Sequence, residues 1–168
     1  MSYSLYDATI GMAKGAINSL DKILTEAEKH PNSANFFTAR LIEDMNPLTF
    51  QVHYAAFQAQ KIAATLSGQE YSEPEENLDS YEKMHDRIEL ARKMLNEVDK
   101  DTANRIGEQV TVYTHRNESI EAPIKVQVSQ LNMPNVYFHV SMAYAILRKE
   151  GVPLGKSHWS RGFVSDYI

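Results

Sequence analysis

Hydrophobic residues recur at the spacing of a helix near the start of the chain. They fall every third or fourth position, at Leu5, Ala13, Ala16, Ile17, Leu20, Ile23, Leu24 and Ala27. This spacing places one apolar stripe along a helix. We therefore predict a first helix over residues 3–29, which ends at His30-Pro31 because proline removes a backbone donor.

The next stretch of the chain predicts further helices separated by polar segments. A short helix is expected over residues 34–46, and a second long helix over 47–66, since Pro47 suits a first helical position. The acidic segment 69–77 predicts a loop. A third long helix over 78–98 carries its apolar stripe at Tyr81, Met84, Ile88, Ala91, Leu95 and Val98.

The pattern changes between residues 107 and 128. Apolar and polar residues alternate on both sides of a polar turn at 115–119, which is typical of a β-hairpin. Ile124, Val126 and Val128 are assigned to its second strand, and Pro123 indicates that this strand is an edge or is broken. A fourth helix is expected from Pro134 to Gly151, apolar on nearly all sides as a central helix would be.

These elements predict an all-α (mainly α) domain. Its architecture is an up-down four-helix bundle with a small β-hairpin between the third and fourth helices. The bundle is expected to span residues 1–156, with 157–168 as a C-terminal aromatic tail. The tail should pack on the bundle through Trp159, Phe163 and Tyr167. Leu20, Val52, Ile88 and Ile146 are predicted to share the core.

Composition narrows the class of protein. The 168 residues suit one domain. The chain has no cysteine, which excludes disulfides and thiolate chemistry and favours a reducing compartment. A net charge of −5 without a basic cluster argues against nucleic-acid binding. The N-terminus does not resemble a signal peptide and no long apolar run predicts a membrane span, so we expect a cytoplasmic protein without membrane partners.

Three segments resemble one known family. They are SLYDATIGMAKGAINSL (4–20), ARLIEDMNPLTFQV (39–52) and PNVYFHVSMAYAILRKEGVPLGK (134–156), and they are similar to the domain-of-unknown-function family 1993. That family is in turn similar to the DinB-like four-helix bundles. The resemblance implies a DinB-like fold and, because the family has no assigned reaction, implies no particular activity.

The resemblance also implies a metal site. Many DinB-like proteins hold one divalent metal on three histidines, one from the second helix and two from an HxxxH motif in the fourth. His139 occupies the second position of that motif, Asn135 the first, and His53 falls near the second-helix ligand. The implied metal ligands are therefore His53, Asn135 and His139, with zinc or nickel as the cofactor. Asparagine departs from the family pattern and is a weaker ligand than imidazole for such metals.

His139 is the strongest candidate for chemistry in the sequence itself. It lies in the middle of an apolar helix, and Asn135 shares its face one turn earlier. Histidine can transfer protons near neutral pH, while a tyrosine can orient a substrate. We therefore predict His139, Tyr137 and Tyr144 as catalytic residues of a cofactor-free isomerase, lyase or cyclase. The alternative is that His139 makes a purely structural hydrogen bond.

Two functions remain open from the sequence. The first is a small-molecule-binding or enzymatic bundle with a polar cavity around His139, acting on a small apolar molecule with or without a metal. The second is a non-catalytic bundle that dimerises or binds partners through its helix faces. A homodimer is expected because DinB-like bundles often pair. An apolar cavity with His139 at its wall would favour the first function, and a filled core would favour the second.

Overall fold

Helices dominate the structure, with one pair of strands between them. The computed structural model describes residues 2–115 and 117–167, with His115, Asp166 and Tyr167 described by their backbone alone. In chain order the elements are α1 (Met12–Glu28), α2 (Leu48–Leu66), α3 (Tyr81–Asn96), α4 (Lys100–Gly107), β1 (Val110–His115), β2 (Glu118–Pro123), α5 (Ile124–Gln127), α6 (Met133–Lys149) and α7 (Lys156–Ser160). The four long helices are α1, α2, α3 and α6.

Local sequence explains where the first three long helices begin. A π-helical turn, Asp7–Gly11, leads directly into α1. The extended backbone of Pro47 precedes α2. The Ser80 hydroxyl accepts a hydrogen bond from the Lys83 N–H and caps α3 (3.2 Å). The predictions of helices over 3–29, 47–66 and 78–98 are therefore confirmed to within a few residues at each end.

The long helices bury one shared core. α2 packs between α3 and α6, and α1 closes the opposite side of the bundle against the same two helices. The four predicted core residues are each at most 1% exposed: Leu20, Val52, Ile88 and Ile146. The prediction of a helical bundle with a small hairpin is confirmed. Within the described part of the chain, no helix combines the length and apolar character needed to cross a bilayer.

The short helix predicted over 34–46 is wrong. Only one 3-10 turn, Ser33–Asn35, forms there. The Phe36 side chain is buried in the core and fixes the segment close to the bundle. The Leu48 N–H donates to the Ala39 carbonyl oxygen at 2.9 Å, so the backbone finds a partner outside a helix.

The hairpin is confirmed, but its predicted second strand was too long. β1 and β2 pair antiparallel with Val110 opposite Pro123. The apolar residues after Pro123, namely Ile124, Val126 and Val128, are helical rather than extended. Pro123 precedes α5 as its N-terminal cap, and a π-helical turn, Val128–Asn132, joins α5 to α6. The fourth helical segment therefore begins before Pro134. The wide turn lies directly ahead of this proline, which has no N–H to donate.

The pattern of hydrophobic residues did not reveal α4. The Asp99 carboxylate accepts the Thr102 N–H at 2.8 Å and caps this helix. Ala103 and Ile106 are its buried contacts. Two buried apolar residues are too few to produce a detectable stripe.

The C-terminal segment packs along α1. The Ser19 hydroxyl donates to the Trp159 carbonyl oxygen, and the Phe163 ring lies 5.0 Å from Trp159 and 6.1 Å from Tyr137. Gly162 approaches α1 so closely that an added Cβ would lie 2.5 Å from the Ser19 backbone nitrogen. A larger residue at this position would therefore have to push the segment away from α1. The side chain of Tyr167, the third predicted aromatic of the tail, lies outside the described residues.

Candidate functional site

Two consecutive hydrogen bonds, from His139 to Gln51 and from Gln51 to Asn46, fix the His139 ring between α6 and α2. The Gln51 side-chain Nε2 donates to the Asn46 carbonyl oxygen at 2.9 Å. The other amide atom, Oε1, therefore faces His139 Nδ1 at 2.8 Å. Because an amide oxygen only accepts hydrogen bonds, His139 Nδ1 must carry the proton. The ring is thus held as the tautomer whose Nε2 has a free lone pair.

The Nε2 atom of His139 is open to an incoming molecule. It has no hydrogen-bond partner among residues 2–115 and 117–167, and it is not one of their fully buried unpartnered atoms. The ring as a whole is 8% exposed. The atom that carries the free lone pair therefore keeps some exposure to solvent.

Three aromatic rings lie close to the His139 ring. The centroids of Tyr54, Phe138 and Phe50 lie 4.8, 5.1 and 5.9 Å from the His139 ring centroid. Phe50 and Tyr54 stack on each other at 5.4 Å. Phe138 is 50% exposed. We call Phe50, Tyr54 and Phe138 the aromatic surface; its three apolar rings lie next to the hydrogen-bond acceptor of His139.

Burial sets the protonation state of His139. Desolvation of the ring lowers its pKa from 6.5 to about 4, because the charged imidazolium would lose its water. His139 is therefore neutral at neutral pH. At that pH the ring can accept a hydrogen bond, and it carries no charge.

The predicted tyrosines do not join His139. Helical geometry separates Tyr137 and Tyr144 from His139 by about 160° and 140° around α6. Tyr137 instead packs against Phe163, and burial raises the pKa of its phenol. Tyr144 is half-buried against the core. The proposed grouping of these side chains around one cavity is not what the contacts show.

Two of the three predicted metal ligands, His53 and Asn135, are engaged elsewhere. Arg87 Nη1 donates to His53 Nδ1 at 2.7 Å, and His53 Nε2 lies 3.1 Å from Glu73 Oε1. The Asn135 amide donates to the carbonyl oxygen of Leu131, in the π-helical turn that precedes α6, at 2.8 Å. Residues 51 and 53 leave α2 in nearly opposite directions, so His53 points away from the Gln51–His139 pair.

This donor set does not fit a three-histidine metal centre. An arginine guanidinium already occupies the His53 nitrogen that would bind a cation, and its charge would repel one. His139 is bordered by rings of the aromatic surface rather than by carboxylates or a second imidazole. Within the described residues, no group of three or more His, Cys, Asp or Glu side chains is arranged to hold a metal. The chemistry available to His139 is therefore that of the imidazole itself.

A histidine introduced at Asn135 tests this arrangement. Asn135→His creates an HxxxH pair with His139, and two imidazoles on one helix should bind zinc or nickel only weakly. Adding His53→Ala to Asn135→His should leave that affinity unchanged within about twofold, because His53 points toward Arg87. Isothermal titration calorimetry with zinc and with nickel measures both. A drop of about tenfold or more on adding His53→Ala would show that His53 reaches the site.

The cavities found among the described residues lie away from His139. Five of them have volumes of about 240 to 420 Å³, and none of the five is lined by His139. The polar cavity expected around this residue is therefore not among them.

Sequence reasoning missed the partners of His139. Gln51 and Tyr54 lie on α2 and are brought to His139 by the packing of α2 on α6. Gln51 is only 2% exposed, and a buried amide needs a partner, but this burial is visible in the structure and not in the sequence. Phe138 was adjacent in sequence, but its exposure could not be deduced from a helix that is apolar on nearly all sides.

The fold and contacts define a helical bundle with one neutral histidine between two long helices. The family model for a domain of unknown function, DUF1993, matches residues 5–160, and the chain belongs to that family. The chain is also similar to a crystal structure of a DinB family member protein from Shewanella denitrificans. The two share 25% sequence identity and a TM-score of 0.78, over 92% of this chain and 90% of that one. No curated protein matches the chain significantly. The resemblance inferred from the sequence is confirmed.

Proposed function

We propose that the protein binds a small, largely apolar molecule that carries one N–H or O–H donor. The ligand's apolar face would lie on the aromatic surface, and its donor would bond to His139 Nε2. One observation carries the proposal: the hydrogen bonds that link Asn46, Gln51 and His139 fix the tautomer of the His139 ring and leave its Nε2 free. Because the acceptor is already held in place, little reorganisation of the protein is needed when a ligand binds.

The same chemistry favours binding over proton transfer. A general base works best when its pKa lies near the operating pH. The pKa of His139, about 4, is far below neutral. The neutral ring is therefore a ready hydrogen-bond acceptor but a weak proton acceptor, and the isomerase, lyase or cyclase role is the less favoured form of this proposal.

Indole and 1-benzothiophene form a matched pair of probes. They have nearly the same shape, but only indole carries an N–H. We expect indole to bind more tightly by about two- to tenfold, the net value of one neutral hydrogen bond. NMR titration, followed at residues around Tyr54 and His139, measures both affinities.

The variant His139→Asn separates the acceptor from the fold. The asparagine amide can still donate to Gln51, while Nε2 is removed. The preference for indole should then disappear. His85→Asn removes a histidine between α1 and α3, where its Nδ1 lies 2.7 Å from Asp21, and should leave the preference unchanged. Equal binding of the two probes by the unmodified protein would refute the proposed role of Nε2.

A homodimer through the aromatic surface is the second candidate. Phe138 is half exposed and, like Phe50 and Tyr54, lies close to the His139 ring; such rings are typical of protein interfaces. In that case neither probe would bind in NMR titration. Light scattering would then give twice the 19.1 kDa mass of the chain, and Phe138→Ser would return it to the monomer value.

A further inference from the structure

A second site lies on another side of the bundle, between α1 and the C-terminal segment. A cavity of about 260 Å³ is lined there by Lys22, Thr25, Glu26, Ser157, His158 and Arg161. Two of these side chains are permanent cations and two are hydroxyls. The cavity therefore offers many hydrogen-bond donors in a small space, unlike the aromatic surface around His139.

The two cations of this cavity are available to a ligand. Neither Lys22 nor Arg161 forms an ion pair with a side chain that the structure describes. The one carboxylate in the lining, Glu26, is already bonded to Lys29 at 2.8 Å. That bond holds the pKa of Glu26 below its usual range, so its charge is balanced by Lys29. The cavity keeps a net positive character in a chain whose overall charge is −5.

His158 adds a donor of defined direction. The Gly155 N–H donates to His158 Nδ1 at 2.9 Å, so Nδ1 accepts and the neutral ring carries its proton on Nε2. The imidazole, one of the side chains that line the cavity, therefore keeps an N–H donor at Nε2 even when it is uncharged.

We propose that this cavity binds the phosphoryl group of a small soluble molecule. A phosphate monoester has three terminal oxygens that accept several hydrogen bonds each, and it carries close to two negative charges at neutral pH. Arg161 and Lys22 supply charge, while Thr25, Ser157 and His158 supply neutral donors around it. A carboxylate would use fewer of these groups. The proposal is independent of the function proposed for His139.

The geometry also distinguishes a soluble ligand from a membrane. The protein's net charge of −5 opposes approach to an anionic bilayer. The Lys22–Arg161 cavity is one small concave site rather than a basic face. A phosphorylated metabolite satisfies both conditions, whereas a phospholipid headgroup would have to be drawn out of its bilayer.

Titration with inorganic phosphate tests the site directly. We expect a dissociation constant of the order of 1 mM, with amide NMR shifts confined to residues around Thr25 and Ser157. Sodium chloride and sodium acetate at the same ionic strength should produce much smaller shifts. Equal shifts with acetate would show unselective anion attraction and would overturn the proposal, as would the absence of phosphate binding.

Charge-matched variants locate the binding. Lys22→Gln and Arg161→Gln should each weaken phosphate binding by about three- to tenfold. Lys93→Gln removes the same charge from an exposed position on α3 and should change it by less than about twofold. An equal loss in all three variants would contradict a defined site. Phosphatidylcholine vesicles containing phosphatidic acid should not co-sediment with the protein; co-sedimentation without binding of soluble phosphate would overturn the soluble-ligand assignment.

Discussion

Replacing Leu20 with alanine is expected to lower the free energy of unfolding by about 2–5 kcal/mol. Leu20 is fully buried on α1, which packs against both α3 and α6. The substitution would leave a void in a close-packed interior that cannot fully collapse. Since domains are stable by only about 5–15 kcal/mol, this is a large share of the total. Urea unfolding followed by far-ultraviolet circular dichroism measures the loss.

A matched leucine on the surface provides the control. Leu90 lies on α3 and is 46% exposed, so Leu90→Ala should change the stability by only about 0.5 kcal/mol. The thermal midpoint should fall by about 4–20 °C for Leu20→Ala and should barely move for Leu90→Ala. Comparable losses in the two variants would mean that the buried face of α1 has been assigned incorrectly.

The long helices could be predicted because each repeats its apolar positions over several turns. The short elements could not. Ile124 and Val128 alternate with polar residues, as in a strand, yet they are also four residues apart, as on a helix face. In a strand Val126 would share the face of Ile124 and Val128, whereas on a helix it points away from both. Val128 is fully buried and Ile124 packs against the core, while Val126 is not among the residues packed on it, as a helix requires. Packing against the core, rather than the local sequence pattern, determines the conformation of this segment.

The prediction of a short helix over residues 34–46 failed for a different reason. Their apolar residues were compatible with a short helix, but side chains satisfy the backbone in other ways. The Arg40 guanidinium donates to the Met45 carbonyl oxygen, and Lys149 Nζ donates to the Arg40 carbonyl oxygen at 2.8 Å. The second bond crosses from α6, over 109 positions of sequence. Contacts of this range cannot be read from a local pattern.

The candidate site was predictable only in its central residue. His139 stood out as a titratable group within an apolar helix, whereas its partners depend on how α2 turns toward α6. α2 is buried on most of its sides, so its sequence does not show which side faces α6. Gln51 proved to face His139, while His53 faces Arg87, which is 34 positions away in sequence. The predicted metal site requires His53 on the side of α2 that faces α6. His53 in fact points to a different side.

Acidification is expected to destabilise the protein through His139. The pKa of its ring is about 4 in the folded protein, against about 6.5 in an unfolded chain. Between these values the unfolded state binds a proton that the folded state does not, so stability falls as the pH falls from about 6.5 to 4. The contribution levels off below pH 4, where both states are protonated. The full shift corresponds to at most about 3.4 kcal/mol, most of which is lost by pH 4.

Two measurements isolate this contribution from other titrating groups. An NMR titration of the imidazole should show neutral His139, protonated at Nδ1, with a midpoint near pH 4. In parallel, urea unfolding at pH 7 and pH 4 should show that the unmodified protein loses about 3 kcal/mol more than His139→Asn, which has no titrating ring. A midpoint near 6.5 with no difference between the proteins would place the ring in water. The Gln51 bond would then no longer fix its tautomer, and the acceptor that the aromatic surface is proposed to present would lose its physical basis.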